Sequence, residues 1–296
     1  MDLSVNEHGF AGSFYEGKRY RDKVIIYTGS CGMTCEELVA AGTFLLAAGY
    51  SVLFLQTGNG AGITEKTCPV SLDDAEHAIA WIHGYFAEIT VKIGMAGFAL
   101  GAEYALLCAV KFSDIGCVAV CSAYDFVMEA VGGKSARFCK SFFQYQGEPV
   151  PFSPWFILEE GMIRLTLKSL KDKRYGLGRF WRYLYDRNLP VPRSRILVEN
   201  MHADVLFLAA DNDDVLPAET AAKRMCDVLK KTGYPYRTCI KIYENGSHVL
   251  GCPLDFNSRR GKQMKRKLPA VMKNPKAARE AADDSMTQII NFFKMW

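Results

Sequence analysis

The feature that most constrains this chain is an alternation of two patterns. Short β-branched or apolar runs at Lys23–Tyr27, Ser51–Gln56, Lys92–Ala96, Ile115–Cys121, Val205–Ala210 and Thr238–Tyr243 are interleaved with helical stretches. These helices are about Thr34–Ala48, Ser71–Phe86, Leu100–Phe112 and Ala218–Thr232, with a last one near Pro275–Phe293. Strands followed by helices of ten to fifteen residues predict an α/β chain with a mostly parallel sheet and helices on both faces. Ser71, three residues ahead of Asp74, reads as the N-cap of its helix, with Ala75, Ala78, Ile79 and Ile82 on one face.

The alternation breaks between Ala123 and Glu199. Five of the eleven prolines (149, 151, 154, 190 and 192) and two of the four tryptophans, Trp155 and Trp181, fall there. The expectation is one domain over 1–296 with a cap of helices and loops inserted at 123–199. One uncharged stretch, Leu38–Leu55, is 18 residues long, the lower edge of a membrane span. Gly49-Tyr50 interrupts it, and Ser51–Leu55 reads as a strand, so helix, turn and buried strand is the better account. The polar, charge-dotted Met1–Asp22 does not read as a signal peptide.

Composition excludes little more. The 36 Lys+Arg against 32 Asp+Glu give a net charge of +4, too weak to imply nucleic acid. Ten scattered cysteines, several in apolar stretches, read as reduced thiols of a cytoplasmic protein. Cys31 and Cys35 lack a second ligand pair at zinc spacing, so no metal site is expected.

The chemistry-bearing segment is Gly97-Phe98-Ala99-Leu100-Gly101, reached from a strand and left by a helix. That is the frame of a nucleophile elbow, Gly-x-Ser-x-Gly, whose glycines allow a strained turn to project the central side chain. Here the central residue is Ala99, which has no nucleophilic atom. Downstream, Val205–Ala210 runs into the acidic loop Asp211-Asn212-Asp213-Asp214, and Gly246-Ser247-His248 follows the last strand. Nucleophile position, acid and histidine thus occur in the chain order of an α/β-hydrolase triad. Asp213 is the choice for the acid by loop position, with Asp211 and Asp214 as rivals. In that arrangement Asp213 orients the imidazole and His248 takes a proton from residue 99. The N–H of Leu100 and one from Ser30 or Cys31 would form the oxyanion hole.

Together these segments resemble the C-terminal catalytic domain shared by acyl-CoA thioesterases and bile-acid-CoA:amino-acid N-acyltransferases. The resemblance takes in Thr28–Gly32, Leu72-Asp-Asp-Ala-Glu-His-Ala-Ile, Gly97–Leu106, Ile196-Leu-Val-Glu-Asn-Met, Asp213, His248 and the tail from Asn274-Pro-Lys-Ala-Ala-Arg to Phe293. Dienelactone-hydrolase-like enzymes are related, and these motifs do not separate them. The resemblance implies an α/β-hydrolase fold acting on an acyl thioester, with coenzyme A as part of the substrate and no separate cofactor. About 22 residues precede the first central strand, so the N-terminal β-sandwich of animal members is not expected here.

The departure is Ala99. Hydrolytic members carry Ser there and the amino-acid transferases carry Cys; with Ala no acyl-enzyme forms at that position. The retained acid and histidine favour an inactivated, engineered variant of a thioester hydrolase. Acyl transfer to an amine such as an amino acid is the second reading, and a natural non-catalytic ligand-binding relative the third.

Basic residues offer a phosphate-steering surface or simply a solvated cationic face. One group is Arg164, Lys168, Lys171, Lys173, Arg174, Arg179, Arg182, Arg187, Arg193 and Arg195; the other is Arg259, Arg260, Lys262, Lys265, Arg266 and Lys267. Phe142, Phe143, Trp155, Phe156, Phe180 and Trp181 read as acyl-pocket lining or as cap core. The expected partner is a small acyl thioester or ester, with no nucleic acid and no membrane, in the cytoplasm.

Overall fold

The computed structural model describes residues 1–30, 33–58, 69–130, 140–154, 185, 190–258, 261–262, 266 and 268–296. The central sheet has eight strands. They are β1 (Asp2–Leu3), β2 (Gly12–Tyr15), β3 (Tyr20–Thr28), β4 (Tyr50–Leu55), β6 (Lys92–Phe98), β7 (Ile115–Cys121), β10 (Asp204–Ala210) and β11 (Thr238–Tyr243). Their spatial order is β1-β2-β4-β3-β6-β7-β10-β11. From β4 to β11 every neighbouring pair is parallel, while β1 and β2 add an antiparallel edge. A second sheet holds β5 (Val70–Ser71), β8 (Phe143–Tyr145) and β9 (Glu148–Pro149).

Strands buried on both faces explain the near-continuous apolar runs seen in the sequence. Side chains alternate between the faces with period two. Val24, Ile26, Met95, Val118, Val120, Val205 and Phe207 face one core, which contains Ala75, Ile79 and Ile82 of α3 (Asp73–Tyr85), Ala102, Ala105 and Leu106 of α4 (Leu100–Lys111), and Ala221 and Met225 of α5 (Ala218–Lys231). Ile25, Tyr27, Ala96, Ala119, Cys121, Leu206 and Leu208 face the other. That second core is closed by Leu38 and Leu45 of α2 (Cys35–Ala47) and by Ile289, Phe292 and Phe293 of α7 (Pro275–Met295). The short helices α1 (Val5–His8) and α6 (Pro269–Lys273) complete the set used here.

A local signal accounts for the start of α2. Thr34 and Glu37 form a reciprocal capping box at α2, with Glu37 N–H on Thr34 Oγ1 at 3.2 Å and Thr34 N–H on Glu37 Oε2 at 3.1 Å. The expected Ser71 cap is corrected. α3 begins at Asp73, Leu72 is its N-cap residue, and Ser71 belongs to β5. Strand pairing of Val70 and Ser71 with Phe143 and Gln144 takes that segment, and the Ser71 hydroxyl instead accepts the Asp73 N–H. The uncharged stretch 38–55 is helix, turn and strand as expected, and among the described residues no helix is long and apolar enough to cross a membrane.

Of the segment 123–199, expected as a cap insertion, residues 131–139, 155–184 and 186–189 lie outside the described residues. The remainder is tied by bridges Phe126–Arg195, Met128–Ser153 and Glu129–Ser141 and carries the β8–β9 hairpin. Phe142 and Phe143 belong to the core, with Phe143 6.2 Å from the Tyr104 ring; Trp155, Phe156, Phe180 and Trp181 lie outside the described residues. The seven described cysteines are free thiols, and burial pushes those of Cys108, Cys117 and Cys121 well up, which leaves them unreactive.

In the first turn of the elbow helix α4, Glu103 is buried and accepts the Tyr124 N–H. Burial first, and the Asp125 charge second, hold its carboxyl well above the usual 4.5. The folded chain therefore binds this proton more tightly than the unfolded chain. Its contribution to stability is complete below about pH 4.5 and is lost as pH rises towards the folded value. Glu103→Gln, which stays neutral, is expected to gain melting temperature relative to the parent between pH 5 and pH 8. Thermal melts at both pH values check this, and an unchanged difference between the two proteins would contradict it.

Candidate active site

In an open parallel sheet the ligand crevice lies at the carboxyl ends of strands where the chain reverses its direction of winding. Here β4 lies to one side of β3, while β6, β7, β10 and β11 lie to the other. The loop after β3 carries Ser30, and the turn after β6 carries residue 99.

That turn is a single residue. Ala99 sits between the end of β6 and the start of α4 with φ 53° and ψ −128°, a region L-residues rarely occupy. Holding it costs about 1–3 kcal/mol. Close packing enforces it: a Cβ on Gly97 would lie 2.2 Å from the Gly101 carbonyl oxygen, and one on Gly101 would lie 2.5 Å from that of Gly29. Thr28 Oγ1 also donates to the Gly101 carbonyl at 2.9 Å. The geometry is that of a strand-to-helix elbow that projects the residue at its apex, here with a methyl group in that place.

Across the crevice, His248 Nδ1 lies 2.9 Å from Asp213 Oδ2 and 3.1 Å from Oδ1. The Asp213 side chain has no exposure and the imidazole 15%, so this pair is shielded from bulk water on the acid side and open on the other. Asp213 Oδ1 also accepts the N–H groups of Val215 at 2.8 Å and Leu216 at 2.9 Å. With those donors holding a carboxylate, Nδ1 donates and Nε2 is left as the basic nitrogen.

The two rival acids serve backbone instead. Asp211 Oδ1 accepts the Asn245 N–H at 2.8 Å, and Asp214 Oδ2 accepts the Ala270 N–H at 2.5 Å. Ala99, His248 and Ser30 line one cavity of about 340 Å³, within the range of small-molecule sites. Its walls include Ala40, Phe98, Val249, Cys252 and Leu254, which composition alone did not single out. Leu100 opens α4, so its N–H is among the helix-start donors with no intrahelical acceptor. Cys31 lies outside the described residues.

Of the basic groups, Arg164, Lys168, Lys171, Lys173, Arg174, Arg179, Arg182, Arg187, Arg259, Arg260, Lys265 and Lys267 also lie outside the described residues. Arg195 is not free for an anion: it grips Glu199 bidentately at 2.6 and 2.8 Å. Arg193, Lys262 and Arg266 are exposed. Among the described residues no group of three or more His, Cys, Asp or Glu is placed to hold a metal ion.

A doubly covered parallel sheet with a strained strand-to-helix turn and a histidine–carboxylate pair in its crevice defines an α/β-hydrolase. Solved structures carry the same fold. The acylaminoacyl peptidase of Pyrococcus horikoshii superposes with a TM-score of 0.52 at 12% identity, over 96% of this chain and 39% of that one. The protein ESTFA, in an apo form, gives 0.52 at 16% identity over 90% and 81%. No curated protein matches the sequence. Residues 70–295 match the family described as BAAT / acyl-CoA thioester hydrolase C-terminal, and the chain belongs to that family.

Proposed function

We propose that this chain has the site of an acyl-thioester hydrolase, with Asp213 and His248 arranged to serve a nucleophile at position 99. The observation that carries the reading is that His248, held from behind by the buried Asp213, lines the same cavity as the strained residue at the elbow. Family membership supplies the substrate class. The apolar walls at Phe98, Val249 and Leu254 suit an acyl chain.

With a hydroxyl or thiol at position 99, His248 Nε2 accepts its proton as the O–C or S–C bond to the acyl carbonyl forms. The Leu100 N–H, with one from Ser30 or Cys31, receives the developing oxyanion. Collapse breaks the thioester C–S bond, and the thiol leaves with the proton held by His248. Water, activated by the same imidazole, then releases the acid. With Ala99 there is no atom to acylate, and the chain as it stands binds such a substrate without covalent turnover.

That last point is also what favours the third reading, a non-catalytic binder in which Ala99 is the natural residue. The test is free-thiol release from a panel of acyl-CoAs, with and without an amino-acid acceptor, by this chain beside Ala99→Ser and Ala99→Cys. Thiol release by Ala99→Ser alone supports hydrolysis, and acceptor-dependent release by Ala99→Cys supports transfer. Silence of all three folded proteins moves the reading to the binder. Cleavage of a simple aryl ester without any thioester would remove the coenzyme A part of it.

A further inference from the structure

Three hydrogen bonds converge on two consecutive residues at the end of β7. The Cys121 carbonyl accepts the Ala99 N–H at 3.0 Å. The next N–H, that of Ser122, donates to the Leu208 carbonyl of β10 at 2.8 Å, on the strand that leads into the Asp213 loop. The Ser122 hydroxyl donates to the backbone carbonyl of His248 at 3.1 Å, across 126 residues of sequence. One dipeptide thus touches the elbow, the acid-bearing strand and the histidine itself.

Ser122 is fully buried and held at φ 53°. A non-glycine residue there is strained, and a buried hydroxyl needs a partner. Both costs are offset by the contact with His248. Within the loop, the Val249 N–H of the same peptide donates to Ser247 Oγ at 3.2 Å. Two contacts from other elements act three residues further on: Tyr27 donates its hydroxyl to the Gly251 carbonyl at 2.7 Å, and the Gly251 N–H donates to Ser285 Oγ at 2.8 Å. Those two fix the exit of the loop. Ser122 holds the peptide of His248, while Asp213 holds its ring.

We infer that Ser122 is a positioning residue for His248, locking the peptide plane from which the imidazole projects toward position 99. The inference rests on the triad reading above. Without the hydroxyl, the 248–249 peptide keeps the contact of its N–H with Ser247 inside the same loop but loses its tie to β7, so the loop and the His248 side chain can shift together. A displacement of the base of about 1 Å costs on the order of 10²-fold in rate.

The test has two arms. In the chain as it stands, the Nδ1 proton of His248 is followed by NMR at low field and assigned by its loss in His248→Gln. It is expected to persist in the parent, and to be lost or to exchange at least about tenfold faster in Ser122→Ala and Ser122→Gly as the ring loses its fixed place against Asp213. In the Ala99→Ser background, the same two changes are expected to lower kcat roughly 10- to 100-fold while KM stays within about threefold. Ser122→Gly relieves the positive φ and so decides the matter if Ser122→Ala does not fold. An unchanged Nδ1 signal with kcat within about threefold in folded Ser122→Gly overturns the inference. Failure of both variants to fold also overturns it, since Ser122 would then serve the fold and not the base. If Ala99→Ser is inert on every substrate, the triad reading fails on its own evidence, and the NMR arm still reports whether Ser122 holds His248.

Discussion

Ala99→Ser is expected to raise thiol release from a suitable acyl-CoA by on the order of 10³- to 10⁶-fold over the chain as it stands. The range follows from what each protein retains. The parent keeps the cavity, the helix-start N–H of Leu100 and the His248–Asp213 pair, so it loses only covalent catalysis. Such residual sites still accelerate their reactions over water by about 10³–10⁴ through oxyanion contacts and binding. The variant adds one oxygen to a Cβ that the elbow already projects at φ 53°, so no backbone change is needed. Circular dichroism of both proteins should superimpose. Equal rates from two folded proteins would remove position 99 from the chemistry.

Asp213→Asn in that same background is expected to reduce kcat by about 10³–10⁴-fold. The asparagine oxygen can go on accepting the Val215 and Leu216 N–H groups, so the fold of the loop survives. Its amide nitrogen then faces His248 Nδ1, where two donors cannot pair. The imidazole moves its proton to Nε2, and the nitrogen facing the nucleophile is no longer a base. Asp211→Asn and Asp214→Asn serve as controls. Each keeps an oxygen for the Asn245 or Ala270 N–H, so rates within about threefold of the background are expected. A large loss at Asp211 or Asp214 with none at Asp213 would reassign the acid.

How much of this was legible beforehand differs element by element. The central strands β3, β4, β6, β7, β10 and β11 could be read because burial on both faces forces apolar, β-branched runs, and their bounds lie within a few residues of expectation. The elbow could be read because Gly97 and Gly101 are demanded by backbone contacts of 2.2 and 2.5 Å that no side chain tolerates. Asp213 was preferred to Asp211 and Asp214 only by loop position, and in the structure it is Asp213 that lies 2.9 Å from His248 Nδ1.

The strands β1, β2, β5, β8 and β9 were not legible, being two to four residues long and defined by distant partners. The Ser71 cap failed for that reason, because the sheet of Phe143 and Gln144 claimed the residue first. Ser122 was missed since a serine after a strand carries no local sign of a partner 126 residues away. Its positive φ, shared with Ala99 and Asn245 around the same crevice, becomes visible only in three dimensions.

The account stands or falls on position 99 facing a working base, and covalent labelling measures that directly. In Ala99→Ser treated with a fluorophosphonate, the new hydroxyl should give its proton to His248 and displace fluoride from the reagent, adding one phosphonyl group per chain, mapped by peptide mass spectrometry to position 99. The parent and the Ala99→Ser, His248→Gln double variant should stay unlabelled over the same time. A folded Ala99→Ser protein that takes no label, or takes it on another serine, would contradict the account.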